Sequence, residues 1–373
     1  MQFDKFIKLI PGIILALVLS LFSEGINNVV GIELFGTEKS PISTVLIAIL
    51  LGILIGNAFT PRPGFIAGLE FTQNYILKLG VIFLGIRLSF DELIKFGSMA
   101  IPIVLVCISS VLLLVKFLNK KFKVSSKMSY LIAIGTSVCG ATAIVATAPV
   151  VNAKKTEVAY AIANITLFGI IAMLLYPYFA NYYFDGNYLF SGIFLGTSIH
   201  ETSQVVAAGL IFDQQFNSPD TLDVATVTKL IRNTCLVILI PLFAFLYNRG
   251  EIKENNYSIF KIFPLFVVGF LGMIFVRNIG DQILLTSPVY SENWLIYIKV
   301  IKFLATTFLT MAMVAVGLSI NLIELKEMGY KPFVMGLIAA ITVGIVCIGS
   351  IHLLDGYFDY FNYDLYFNKF WQF

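Results

Sequence analysis

The chain has 373 residues, 58% of them hydrophobic and 13% charged, with a mean hydropathy of +0.89. A soluble domain is nearer one-quarter charged, so composition excludes an ordinary soluble protein and predicts a polytopic membrane protein in contact with lipid. The net charge of +3 identifies no nucleic-acid partner, and Cys107, Cys139, Cys235 and Cys347 lie in apolar runs without disulfide or metal-ligand spacing, so no metal or cofactor is expected.

Near the N-terminus, Lys5 and Lys8 precede an apolar run from Ile10 to Phe22. The run is followed by Ser23-Glu24-Gly25-Ile26-Asn27-Asn28 and not by a clean small-x-small cleavage site, so it is read as a transmembrane helix and not as a leader. A spanning helix needs about 20 mostly apolar residues. Spans are expected near 10–30, 42–60, 65–88, 98–118, 156–178, 224–247, 260–279, 294–320 and 332–354. In the third, Glu70, Asn74 and Lys78 recur every fourth residue, a polar stripe on one helix face with Gln73 beside it, suited equally to lining a pathway or to facing another helix. No linker or soluble domain interrupts the chain, and 1–373 is read as one transmembrane domain.

Two segments, near 128–152 and 188–211, nearly copy each other. Gly135-Thr136-Ser137-Val138-Cys139-Gly140-Ala141-Thr142 matches Gly196-Thr197-Ser198-Ile199-His200-Glu201-Thr202-Ser203 at an offset of 61 (196 − 135). Small polar residues at membrane depth are tolerated where they line a cavity, and paired Gly-interrupted apolar segments mark the broken helices of transporters. Each segment either crosses as a broken helix or dips in and returns. Loop charge favours the dip, because cytoplasmic loops collect Lys and Arg. With the N-terminus inside, two re-entrant hairpins place Lys154-Lys155 and the basic 116–127 connection inside, and the acidic 212–223 loop outside. The hairpins then insert from opposite faces. Leu88-Ser89-Phe90-Asp91 and Leu318-Ser319-Ile320-Asn321 close oppositely directed spans and add to the inverted pattern. The predicted fold is therefore all-α: a transmembrane helical bundle with inverted repeats and two broken or re-entrant segments.

Each hairpin arm of about 11 residues reaches roughly 16 Å, near the bilayer centre. The second arms begin near Gly140 and Glu201, where free N–H groups and the helix dipole favour an anion. Gly135, Gly140 and Gly196 are expected to let backbone approach a ligand. Thr136, Ser137, Thr142, Thr197, Ser198, Thr202 and Ser203 offer hydroxyls, and Cys139 sits inside the first break. Small residues also let membrane helices pack, the competing explanation of the same pattern. His200 and Glu201 are candidates for proton or cation coupling, with Glu201 equally suited to cap a helix.

Lys229, Arg232 and Asn233 share one face of the span after the second hairpin and are expected to hold the anion. On that reading, Arg232→Gln weakens anion binding without unfolding the protein. Asn164 is a further pathway candidate, while Arg87, Arg277, His352, Lys299 and Lys302 are read as anchors at span ends. The expected function is a secondary carrier, with a passive anion channel as alternative. An intramembrane enzyme using Ser198 or Cys139 with His200 is disfavoured, since positions two apart diverge on a helix and no third residue orients them. The sequence shows no nucleotide-binding motif, which argues against direct ATP use, and it leaves open whether the protein is a homo-oligomer.

The two Gly-Thr-Ser motifs, with Thr228-Lys229-Leu230-Ile231-Arg232-Asn233, Gly317-Leu318-Ser319 and Gly329-Tyr330-Lys331-Pro332, resemble the YeiH-like sulfate exporter family over nearly the whole chain. The resemblance implies a multi-pass protein of the bacterial inner membrane related to inverted-repeat carriers. It implies export of a small oxyanion such as sulfate or a sulfonate, and it agrees in sign with the reading of the residues.

Overall fold

A computed structural model of the chain describes residues 7–30, 43–59, 63–122, 124–239, 265–286, 291–320 and 330–354. Among them there are helices and no strands. The helices are α1 (Ile10–Val29), α2 (Thr44–Ala58), α3 (Pro63–Phe71), α4 (Leu77–Leu84), α5 (Phe90–Phe122), α6 (Ser126–Ser137), α7 (Ala141–Thr147), α8 (Lys155–Tyr183), α9 (Tyr188–Ser198), α10 (Thr202–Phe216), α11 (Pro219–Thr234), α12 (Phe266–Thr286), α13 (Ser291–Ser319) and α14 (Tyr330–Leu353). Six of the described helices are long and apolar enough to cross a membrane: α1, α5, α8, α12, α13 and α14. The protein is a multi-pass membrane protein built as an all-α bundle.

Helix starts follow local chemistry. Ser43 Oγ accepts from Leu46 N at 3.1 Å to begin α2, and Asn187 Oδ1 accepts from Leu189 N and Phe190 N to begin α9. Ser89 and Glu92 form a reciprocal cap on α5. Asn217, in the left-handed region at φ 54°, ends α10, and Pro219 opens α11.

The helices pack as two lobes. One holds α1, α2, α3, α4, α12 and α13; the other holds α5 to α11 and α14. In the first lobe α2 crosses α13 with backbones nearly touching: a Cβ on Gly52 would lie 2.6 Å from Val314 O, and one on Gly317 2.5 Å from Ile49 O. Glycine is needed there because the opposing atoms are main chain. The expected third span is helical throughout: α3 and α4 are joined by a π-helical turn, Thr72–Ile76, with right-handed helical dihedrals at both ends. Of the expected span near 224–247, residues 240–247 lie outside the described residues. Helix α11 starts earlier, at Pro219, is almost wholly buried inside the second lobe, and ends at a turn at Cys235. It faces protein and not lipid, which is how so polar a helix is accommodated.

Candidate functional site

Both Gly-Thr-Ser segments are hairpins. In the first, α6 and α7 flank the break at Val138, Cys139 and Gly140. Lys127 Nζ donates to Asn152 O at 2.6 Å, and Ser125 Oγ bonds the Glu157 carboxylate, so the segment begins and finishes at the same end of the bundle. In the second, α9 and α10 flank Ile199, His200 and Glu201. Gly192 packs on Val224, Gly209 on Leu222, and Asp213 Oδ1 accepts from Leu222 N at 3.1 Å, so both arms meet the start of α11. Helix α8, 29 residues long, separates the open ends of the two hairpins, which therefore lie at opposite ends of the bundle. Each first arm runs alongside the helix after its hairpin: Gly135 faces Ile165 of α8, and Gly196 faces Ala225 and Thr228 of α11. The repeat thus extends through hairpin and following helix.

The tips meet in the middle. Gly140 adopts φ +66°, a conformation that favours glycine, and a Cβ there would lie 2.4 Å from Glu201 Cγ. Ala141 N, the first N–H of α7, donates to Glu201 Oε1 at 3.3 Å. Glu201 is also the N-cap of α10, in a reciprocal cap with Gln204, whose Oε1 accepts from Glu201 N at 3.2 Å. One carboxylate therefore serves the N-terminal ends of both second arms.

The opposite, C-terminal ends of the first arms are held by the two cations of α11. Lys229 Nζ donates to Val138 O at 2.7 Å, to Ile199 O at 3.1 Å and to His200 O. Arg232 donates through Nε to Ser137 O at 2.6 Å, through Nη1 to Thr197 O at 2.5 Å and Ile199 O at 3.0 Å, and through Nη2 to Thr136 O. An ammonium has three N–H donors and a guanidinium five, so Lys229 has none left and Arg232 has one. This corrects the expectation that these side chains reach an anion: carbonyls of the broken helices satisfy them first. Both are buried, at 0% and 1% exposure, so water does not compete.

A cavity of about 270 Å³ lies where the lobes meet. From the hairpins it is lined by Cys139, Ala141, Thr142, Glu201, Thr202 and Ser203; from the other lobe by Gln73, Asn74, Leu77, Lys78, Val81, Phe266 and Val316. The expected site residues thus divide. Cys139, Thr142, Glu201, Thr202 and Ser203 border the cavity, and Asn233 supports it by donating from Nδ2 to Thr202 Oγ1 at 3.0 Å. Gly140 touches Glu201 behind it. Thr136, Ser137 and Thr197 are buried against Arg232, Ser198 is buried as well, and none of the four lines the cavity. Gly135 and Gly196 face neighbouring helices, so here the packing reading of glycine holds. His200 is buried, does not line the cavity, and neither ring nitrogen has a hydrogen-bond partner, so it makes no general-base contact with Ser198.

The site set drawn from the sequence omits Gln73, Asn74 and Lys78, although their polar stripe is plain there. The π turn beneath them widens the helix at the cavity, a local distortion frequent at functional sites. Asn164 does not line this cavity: it donates to Pro332 O at 2.8 Å and its amide packs against Gly336, joining α8 to α14. Nor is Arg87 a simple anchor. From the end of the α3–α4 segment it reaches Asp213 Oδ2 of α10 at 3.2 Å and Asp223 Oδ1 of α11 at 2.9 Å, tying the lobes together. Arg277 pairs with Asp281 at 2.6 Å, and His352 Nε2 lies 3.0 Å from the Tyr183 hydroxyl.

Comparison with known proteins places residues 11–336 in the family described as conserved hypothetical protein 698. The chain is 34% identical over 343 residues to a UPF0324 membrane protein of Streptococcus agalactiae, covering 91% of this chain and 95% of the relative. A UPF0324 membrane protein of Fusobacterium nucleatum is 35% identical over 349 residues, covering 92% and 97%. One from Photorhabdus laumondii is 34% identical over 341 residues, covering 89% of each. No solved structure matches the chain.

Proposed function

We propose that this chain, which belongs to the conserved hypothetical protein 698 family of multi-pass membrane proteins, is a secondary carrier that exports a small anion of the sulfate or sulfonate class. The observation that carries the reading is the cavity between the lobes, bordered by the tips of two opposed hairpins. Its volume of about 270 Å³ falls just under the ~300–1,000 Å³ of pockets for drug-sized ligands, which suits a small solute. Lys78 brings a positive charge, Thr142, Thr202 and Ser203 bring hydroxyl donors, and Gln73 and Asn74 bring amides. Glu201 lines the same space, so a carried anion binds most favourably when Glu201 has taken up a proton. That linkage would couple anion movement to the proton gradient. Relative motion of the two lobes would expose the cavity to each side in turn. The hairpin tips close on each other through Glu201, and Arg87 ties the lobes at one end, which supports a carrier over an open channel.

Proteoliposome flux of sulfate and small sulfonates tests the reading. We expect saturable flux driven by the proton gradient. In Glu201→Gln that dependence on the gradient is expected to disappear while anion exchange persists. Flux that ignores the gradient at channel-like rates, or no flux of any small anion, would remove the carrier assignment.

A further inference from the structure

The carbonyl ends of the two first arms have the chemistry of a cation site. Half-helix C-termini and unwound carbonyls carry partial negative charge, and in broken-helix transporters they coordinate monovalent cations. Here Thr136 O, Ser137 O and Val138 O from one hairpin converge with Thr197 O, Ile199 O and His200 O from the other. Every one of these oxygens accepts a hydrogen bond from Lys229 or Arg232. Both side chains come from α11, which neither hairpin contains, and both are buried.

We propose that this is a monovalent-cation site whose ion the protein supplies from its own chain: the Lys229 ammonium and the Arg232 guanidinium occupy the place of a mobile cation. Three consequences follow from the charges. The native protein binds no sodium ion at the crossing, because its carbonyl oxygens are engaged and two fixed positive charges repel a third. Coupling to a sodium gradient through this site is therefore closed. Removing the Lys229 ammonium while keeping Arg232 vacates a carbonyl-lined position that a small cation can enter. The hydrogen bonds alone support this, whatever solute the protein carries.

Thermal unfolding of the purified full-length protein tests it, in sodium chloride, methylammonium chloride and choline chloride at equal ionic strength. Choline is too bulky to enter. For the native chain the midpoint is expected to be the same in all three salts. For Lys229→Ala it is expected to fall in choline and to recover by roughly 5 °C in sodium or methylammonium. Lys229→Ser, which keeps one donor, serves if the alanine variant does not fold, with the same recovery expected. A native midpoint raised by sodium over choline overturns the proposal, since a mobile cation would then bind beside the fixed ones. A variant midpoint equal in the three salts also overturns it, since the carbonyls would then not form a cation site.

Discussion

Arg232 sits on α11 but acts on both hairpins, and this fixes what its loss must do. Arg232→Gln leaves the carbonyls of Thr136, Ser137 and Thr197 buried without their charged donor. Breaking a buried charged network of this kind costs about 3–5 kcal/mol. The variant is therefore expected to lower the thermal midpoint by roughly 10 °C in detergent; an unchanged midpoint would show that the carbonyls have other partners. The sequence alone leads one to expect a binding defect in a stable protein, because a cation on an apolar span looks the same whether it faces a solute or a carbonyl. Gly140 is the second critical residue. At φ +66°, and with Glu201 Cγ only 2.4 Å from where a Cβ would sit, Gly140→Ala costs on the order of 1–3 kcal/mol of strain and displaces the carboxylate. Proteoliposome flux is expected to drop at least about tenfold while the variant still folds, the ~1.4 kcal/mol equivalent of one decade.

At the scale of elements, small residues decide which helices cross closely. Gly52→Val is expected to pry α2 from α13, because the added atoms meet Val314 O on the main chain, and main chain cannot turn aside. The loss should be about 1–3 kcal/mol, read as a lower unfolding midpoint. Gly272→Ala on α12 is the matched control: a Cβ there meets nothing within 4 Å, so its midpoint should stay near that of the native chain. If both variants behave alike, the crossing of α2 on α13 is not a close one. The hairpins make the same point about direction. Their glycines and hydroxyls were legible as breaks, and loop charge favoured insertion from opposite faces. Lys127 on Asn152 and Gly192 on Val224 then show which ends meet.

For the whole molecule, the tie between Arg87 and the pair Asp213 and Asp223 matters most. The tie lies beyond the cavity, about 9 Å along the helix from Val81 to Arg87 and about 15 Å from Ser203 to Asp213. It holds the lobes together at that end, so a carrier must break it to open there. Arg87→Gln should raise the rate at which Cys139, a cavity residue, reacts with a membrane-impermeant maleimide added at the Arg87 end. Cys235→Ser in the background removes the one partly exposed thiol among the four; Cys139 is buried but borders the cavity, whereas Cys107 and Cys347 are buried away from it. An unchanged rate would mean that the ion pairs do not gate the cavity.

Hydropathy and the paired Gly-Thr-Ser segments by themselves determined an all-α membrane bundle with two polar helix breaks, and the placement of lysines favoured re-entry over crossing without deciding it. Those signals are local, set by apolar run length and by residues that weaken helices. Tertiary structure alone decided which groups face one another. It sent Lys229 and Arg232 into carbonyls, gave Glu201 to both second arms, and brought the Gln73–Lys78 stripe across from the other lobe to complete the cavity. Partners far apart in the chain are chosen by packing, and a side chain's spacing along its own helix does not say which neighbour it meets.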